Sequence, residues 1–460
     1  MNERTAKTHL MRHAHRSVIR IHSDVVIAIV STTLMGISAV TNNAAFCYAA
    51  MLFLPFGLIY PTSLIPVLMV TSLSSNFFAA AEGIGAARLF AFAIVLGVII
   101  SMLREHRKIN FLWMRFFIII IIATLLTIAI NGTLNIQALS IIGLNLLIAS
   151  AFSNIRLDLK GLKRILFCVF AAFSIISILV FISLSISGVQ ALFQGRVSIG
   201  SDINTNRQAM MCAQMGAFLF GYAVYSQKAK IKVFCYILGL VNFFICLISG
   251  SRTGCLALLL GFMAAILVFN RINKKSFKGI AAAVFIVFIG FLIFQYVVSK
   301  NAVLADRFAL QGILESGGTG RWDRIVAEVK YIIPNHLLFG VGPSSIYEAL
   351  ALEPYLARPG SSHNIIVSML TQIGIVGSAA YFAIIFSVIK RIIAALRKYP
   401  VALIPLCMLL TALFNGIGEV MYCERLLWIV LSLSFLFVNS CAPELGEIKR
   451  TKYLVSKRGM

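Results

Sequence analysis

The chain has 460 residues, 60% of them hydrophobic and 12% charged, with a mean hydropathy of +0.94. So few charges cannot solvate so much apolar surface, which excludes a soluble globular protein and makes the chain a polytopic membrane protein. The net charge of +24 would suit a nucleic-acid partner, but the basic residues sit in short stretches between apolar runs, so no nucleic acid is expected.

The opening stretch, MNERTAKTHLMRHAHRSVIR, is basic and polar, and no small-residue cleavage site follows the first apolar run, so no cleavable signal is expected. A helix needs roughly 20 apolar residues to cross the hydrocarbon, and on that criterion about fourteen spans are predicted. They lie near 23–41, 44–60, 62–80, 84–103, 112–130, 134–152, 163–187, 206–226, 230–249, 253–270, 277–298, 364–389, 400–416 and 421–439. Pro55, Pro61 and Pro66 interrupt the second and third, where two broken or re-entrant helices could stand in place of two full spans.

Basic clusters test this order. They occur at Arg4–Arg20, Arg104/Arg107/Lys108, Arg156/Lys160/Lys163/Arg164, Lys228/Lys230/Lys232, Arg271/Lys274/Lys275/Lys278, Lys390/Arg391/Arg397/Lys398 and Lys449–Arg458. With the N-terminus in the cytoplasm every cluster falls inside, which predicts an even number of spans and two cytoplasmic termini. The nine cysteines lie almost wholly in apolar runs and form no CxxC pair. Neither a disulfide framework nor a zinc site is indicated.

The expected organisation is a basic cytoplasmic N-terminus (1–22), transmembrane helices (23–298), one long extracytoplasmic loop (299–362), further transmembrane helices (363–440) and a cytoplasmic tail (441–460). The fold class is an all-α integral membrane bundle of about 12–14 helices. Loops as long as 299–362 are usually functional. Within it, GTGRWDRIVAEVKYIIP reads as an amphipathic helix, with Trp322, Ile325, Val326, Val329, Ile332 and Ile333 at helical spacing and Pro334 as its stop. Such a helix would lie on the outer membrane surface or cap a cavity between spans. GVGPSS at 340–345 reads as a tight turn whose glycines allow unusual backbone angles.

Chemistry is expected where this loop meets the next span. In RPGSSHNIIVSML, Ser361 or Ser362 can cap a helix beginning near Asn364, which puts His363 beside its first turn. The positive helix end disfavours imidazolium there, and a neutral imidazole is what a general base requires. A bland alternative makes His363 a polar residue at the membrane interface. Three arginines weigh against it: Arg207 in SDINTNRQAMM, Arg252 in SGSRTG and Arg321 at the head of the loop helix all fall on the outer side, against the charge bias of the chain. The guanidinium fork suits phosphate. Salt bridges to Asp202, Asp323, Glu328 or Glu419 are the competing explanation for each arginine, while Glu82/Arg88 and Glu419/Glu424/Arg425 read as helix-packing pairs or substrate contacts, with packing favoured. No DxD pair, metal-ligand spacing or nucleotide-binding glycine loop occurs. The chemistry is therefore expected to need no metal or cofactor, and the donor to be pre-activated outside the cytoplasm.

SRTG in an outer turn, GR at the head of a loop helix, LLFGVGPSS, and HN followed by LTQIGIVGSAAYF resemble the O-antigen ligase and polymerase superfamily over 206–386. The resemblance implies an inner-membrane glycosyltransferase of about twelve spans. It implies transfer from an undecaprenyl-diphosphate-linked glycan to an acceptor hydroxyl, on a glycan or lipid A core, on the outer face. It assigns essential roles to Arg207, Arg321 and His363, with Arg252 in the SRTG position. Asn364, beside the histidine, joins the arginines as a substrate contact. In-line attack would invert the anomeric carbon. The alternative from another class is a transporter of an anion or lipid-linked sugar, which should carry charges near the midplane on broken helices. Here the telling charges sit at the rim, which favours an enzyme.

Overall fold

The computed structural model describes residues 23–41, 43–73, 85–186, 196–197, 204–273, 278–309, 320–419 and 425–458. The clusters at Arg4–Arg20 and Lys274/Lys275, and Glu82, Asp202 and Glu424, lie outside them. Among the described residues there is helix and no strand, as a bilayer demands of any chain that is not a closed barrel.

Helices α1 (Ser23–Thr41), α2 (Ala44–Met51), α3 (Leu54–Ile59) and α4 (Ile65–Leu73) are followed by α5 (Ala86–Arg104), α6 (Phe111–Asn131), α7 (Ile136–Asn154) and α8 (Leu159–Ile186). Then come α9 (Thr205–Tyr225), α10 (Ala229–Ile248), α11 (Arg252–Asn273) and α12 (Lys278–Lys300). The loop region carries α13 (Ala302–Phe308), α14 (Arg321–Ala327) and α15 (Ser345–Leu352), before α16 (Ile365–Leu396), α17 (Leu403–Gly416) and α18 (Arg425–Arg458).

The second expected span is not a full span. Pro55 stands at the start of α3 and Pro61 begins a 3-10 turn, Pro61–Leu64, so 44–64 breaks into pieces of at most 8 residues. At 1.5 Å per residue such pieces reach about 12 Å, under half the hydrocarbon thickness. Helix α4 follows, and the rest of the third expected span, 74–80, lies outside the described residues. Helix α3 packs on α5, and the buried α4 packs on α5 and α8. Nine helices among the described residues are long and apolar enough to cross a membrane: α1, α5, α6, α7, α8, α10, α11, α12 and α16. The apolar segments Pro400–Gly416 and Arg425–Cys441 are shorter, and α9 is long enough but more polar. With the 44–73 segment left out of the count, these make twelve helices in succession among the described residues.

The polarity of α9 follows from its position. It packs against α10, α11 and α17, and all but one of residues 208–223 are buried, Gln208 and Gln214 included. A helix wrapped in protein faces little lipid and needs no apolar outer stripe. The turns after α5, α7, α9, α11 and α16 hold the basic clusters. The turns after α6, α8, α10, α12 and α17 form the other end of the bundle.

At that other end, part of the long loop dips back into the helices. Helix α16 is broken at Gly374, whose φ is 65° and ψ −174°, a combination that is essentially glycine-only. The break strands carbonyls before it and N–H groups after it, and segment 337–342 takes them up. Val341 N donates to Thr371 O at 2.8 Å and Gly342 N to Gln372 O at 3.1 Å, while Ile375 N donates to Leu337 O at 2.8 Å and Val376 N to Leu338 O at 3.4 Å. On its far side the segment is held by α6, where Thr127 Oγ1 donates to Phe339 O and Asn131 Nδ2 donates to Gly340 O at 2.9 Å. The expected turn angles are present: Gly340 has φ 70° and Gly342 φ 144°. The LLFGVG and LTQIGIVG motifs are thus two halves of one joint.

A Cβ at Gly374 would collide with the Leu338 carbonyl. Gly374→Ala is expected to cost about 2–4 kcal/mol from backbone strain and this collision. Gly132 has φ 64° but open space around it, so Gly132→Ala should cost about 1 kcal/mol. Thermal unfolding of the two variants in detergent, side by side, checks the difference.

Candidate active site

Four stretches of chain meet at the end opposite the basic turns. The first is the loop entering α9, where Asn204 caps the helix by accepting from Asn206 N and Asn206 and Arg207 fall in the first turn. The second is the tight turn between α10 and α11, with Gly250 at φ 69° and Arg252 opening α11. The third is the long loop, with Arg307 on α13, Arg321 opening α14 after Gly320 at φ 74°, and His363 just before α16. The fourth is the turn after α17, which carries Glu419.

Asn364, not Ser361 or Ser362, caps α16. Its Oδ1 accepts from Ile366 N at 3.0 Å and Val367 N at 3.2 Å, and its Nδ2 donates to Ile417 O at 3.2 Å. An asparagine outranks serine little as a cap, but Glu348 already holds both serines. Ser361 Oγ donates to Glu348 Oε1 at 3.0 Å, and Ser362 N and Oγ donate to it at 2.7 and 3.1 Å. With both amide groups engaged, Asn364 tethers the histidine turn to the α17–α18 turn. It is not among the residues lining the cavity described below.

Glu419 is the centre of the cluster. His363 Nδ1 lies 2.9 Å from its Oε2, Arg321 Nη2 donates to its Oε1 at 3.3 Å, and Asn206 Nδ2 donates to Oε1 at 3.2 Å. Arg321 Nη1 also donates to Gly418 O at 2.8 Å. Burial alone would push the Glu419 carboxyl up. The His363 hydrogen bond and the charges of His363 and Arg321 outweigh it and hold Glu419 below the ordinary carboxylate range. An ionised carboxylate only accepts, so Nδ1 carries a proton, and in the neutral ring the Nε2 lone pair is left for another. The side chain of His363 is 36% exposed and that of Glu419 16%, so the acid is the covered half of the pair.

Two compartments share Glu419 and Asn206 as a wall. The larger, about 890 Å³, is lined by His363, Arg207, Arg88 and Arg425 with the amides of Asn135, Gln137 and Asn204. The smaller, about 40 Å³, is lined by Arg252, Arg307 and Arg321 with Ser251 and Thr253. Arg307 Nε donates to Gly250 O at 2.7 Å, and Arg196 donates to Ser249 O at 2.9 Å and Asn206 Oδ1 at 3.0 Å. Seven arginines therefore gather at the two compartments, against the carboxylates of Glu419 and Glu353. Such an excess favours an anionic ligand.

The structure brings His363, Arg207, Arg252 and Arg321 to one place, although they are spread over 157 residues of sequence (207 to 363). It also corrects several local readings. Arg321 has the acidic partner that the competing explanation required, but that partner is the one holding His363. Of the two readings of Glu419, the packing one gives way: it bonds His363 and Arg321 at the cavity wall, which Arg88 and Arg425 also line. Glu328 pairs with no arginine among the described residues. It is buried in a π-helical turn, Glu328–Ile332, and accepts from Thr371 Oγ1 at 2.8 Å. The apolar positions of this loop helix do not make one buried face: Ile332 is buried, while Trp322, Val326 and Val329 are exposed.

Residues 234–382 match the family model described as O-antigen ligase. Over this stretch the chain is similar to the O-antigen ligase family, which supports the resemblance seen in its motifs. No curated protein matches it. The family match contains Arg252, Arg321 and His363, whereas Asn206, Arg207 and Glu419 come from outside it and are joined to it by the fold. The matched stretch also holds both halves of the Gly374 joint, so the superfamily's share of this chain is the part that sets the histidine in place.

Burial, the neighbouring charge of Glu348 and a hydrogen bond to it raise the Glu328 carboxyl to about 9. The folded chain keeps this proton above the ordinary carboxylate range and the unfolded chain does not. Stability from this group is therefore fully present in acid and is lost as pH rises through about 9. Glu328→Gln cannot ionise. Its melting temperature in detergent should stay level between pH 6 and 9 relative to the parent, which should fall by a few degrees more over that range.

Proposed function

We propose that this protein transfers a glycan from a polyprenyl-diphosphate carrier, undecaprenyl diphosphate, to a sugar hydroxyl on the outer face of the bacterial inner membrane, as a ligase or polymerase of surface polysaccharide. The observation that carries the reading is the His363–Glu419 pair, with the histidine at the wall of a polar cavity rich in arginine. The basic turns, at the opposite end of the bundle, are the cytoplasmic end by the positive-inside rule, with both termini there. The site then opens outward, where a lipid-linked donor is displayed and nucleotide sugars are absent.

Each group has a task that its surroundings suit. His363 Nε2 takes the proton of the attacking hydroxyl, and Glu419 keeps the ring in the required tautomer and stabilises the imidazolium that forms. The departing diphosphate gains charge as the glycosidic bond breaks. Arg207, with Arg321 and Arg252 behind the Glu419 wall, supplies the electrostatic stabilisation that a divalent ion provides elsewhere. No cofactor is needed, because the donor carries its own activated leaving group. Displacement from the face opposite the diphosphate inverts the anomeric carbon. The polar amides of Asn135, Gln137 and Asn204 suit sugar hydroxyls.

Single-turnover transfer from purified lipid-linked glycan, with donor affinity measured separately, tests this reading. His363→Ala should slow transfer by about 10²–10⁴-fold with donor affinity retained. His363→Gln should not rescue, because an amide cannot accept the proton. Near-normal turnover in the glutamine variant would remove the base role. Arg207→Ala and Arg321→Ala should both lose transfer at normal membrane abundance, with partial recovery in the lysine variants.

Orientation has its own test. In a chain freed of native cysteines, Asp306→Cys should react with an impermeant thiol reagent on intact spheroplasts, and Gln227→Cys should react after permeabilisation alone. The reverse pattern would put the site on the cytoplasmic side and end the proposal.

A further inference from the structure

Behind the histidine turn lie two glutamates with no part in the chemistry above. Glu348, on α15, and Glu328 are both fully buried. Five donors converge on Glu348. Its Oε1 is reached by Ser361 Oγ at 3.0 Å, Ser362 N at 2.7 Å, Ser362 Oγ at 3.1 Å and Ser368 Oγ at 3.0 Å, and its Oε2 by Gln372 Nε2 at 2.6 Å. A site made of donors alone is matched by an acceptor-only carboxylate.

Ser361 and Ser362 are the two residues that lead into His363. The backbone of His363 is left-handed, with φ 52°, which costs a non-glycine residue about 1–3 kcal/mol and persists where surroundings over-determine it. Here they do. Ser361 Oγ accepts from His363 N at 3.3 Å, Arg324 Nη1 donates to Ser361 O at 3.3 Å, and Ser362 Oγ meets Ser368 Oγ at 3.0 Å. Ser368 and Gln372 stand in the first two turns of α16, so one carboxylate ties the turn to the helix.

We propose that Glu348 is the positioning residue of His363: its carboxylate pins the two serines before the histidine to α16 and so holds the imidazole against Glu419 at the cavity wall. The inference rests on His363 being the base, and adds a residue that touches neither donor nor acceptor. The titratable and charged groups facing Glu348 are Glu328, from the π-helical turn, and Arg324, which reaches it through Ser361. Helix α16 presents it with Ser368 and Gln372, which are neutral. Glu328 Oε1 is buried with no donor to satisfy it, the position expected of a protonated oxygen that donates to Glu348. Glu328 thus shares the burial of the pair without competing for the serines.

Glu348→Gln sets an NH₂ group against hydroxyl and amide donors in nearly the same volume. In the purified full-length protein its single-turnover transfer rate should fall about tenfold or more while donor Kd stays within about threefold, the mark of an effect on the chemical step. Combined with His363→Ala it should be no slower than His363→Ala alone, because two residues acting through one group are not additive. Ser362→Ala removes one of the bonds and should show the same non-additivity at a smaller loss, about two- to fivefold. It decides the matter if Glu348→Gln does not fold. Glu328→Gln, which reproduces a neutral donor, should keep its rate within about threefold. A parental rate in Glu348→Gln, joint loss of rate and donor affinity, or multiplying effects in the double variant would each overturn the positioning role. If His363→Ala is inactive while Glu348→Gln is normal, that role alone fails. If both are active, the base assignment fails with it.

Discussion

A backbone break inside a membrane helix is tolerable when protein, rather than lipid, supplies the missing partners. An unsatisfied peptide group in hydrocarbon costs several kcal/mol, and the break at Gly374 would leave four. Segment 337–342 satisfies all four and is itself held by Thr127 and Asn131 of α6. That exchange anchors the long loop at its middle. The helices on either side of the anchor, α14 and α15, bring Glu328 and Glu348 against the start of α16. The position of His363 is thus fixed by a joint more than two helical turns further along the chain.

The second constraint is charge. Arg196, Arg252, Arg307 and Arg321 crowd the α10–α11 turn, and Arg207 stands across Asn206 from them. Backbone carbonyls at Ser249, Gly250 and Gly418 take three of the guanidinium contacts, but a carbonyl neutralises nothing. Among the described residues Glu419 is the carboxylate that both compartments share, and it also bonds the imidazole. Arginine field and histidine tautomer are therefore coupled through one carboxylate. A change at Arg321 alters both the positive field of the site and the hold on the ring.

The sequence was most legible where physics repeats along the chain. Apolar runs and the alternation of basic turns gave the helices and their succession, and the order of SRTG, GR, GVG and HN gave His363 and the arginines. It was least legible where a residue's role depends on distant partners. Nothing in the neighbourhood of Glu419 distinguishes a site carboxylate from a packing one, because its partners are 56 and 98 residues away. Glu328 read as a salt-bridge candidate and Glu348 carried no signal, since their burial comes from the loop folding back into the bundle. The second expected span, near 44–60, read as one span because hydropathy measures composition, not continuity. Ser361 and Ser362 read as caps because their claim by Glu348 is not visible locally.

Helix α9 bears on how the chain is made. It begins Thr-Asn-Arg-Gln and carries Gln214 near its middle, so as an isolated segment it partitions poorly into hydrocarbon. In the finished bundle that cost vanishes, because α10, α11 and α17 cover it. During synthesis α17 is made nearly 200 residues later. The nascent α9 must therefore wait beside α10 and α11, or be sheltered by the insertion machinery, until the C-terminal helices arrive to enclose it. The polar face that serves the cavity in the mature protein is, during biogenesis, the segment most dependent on late partners.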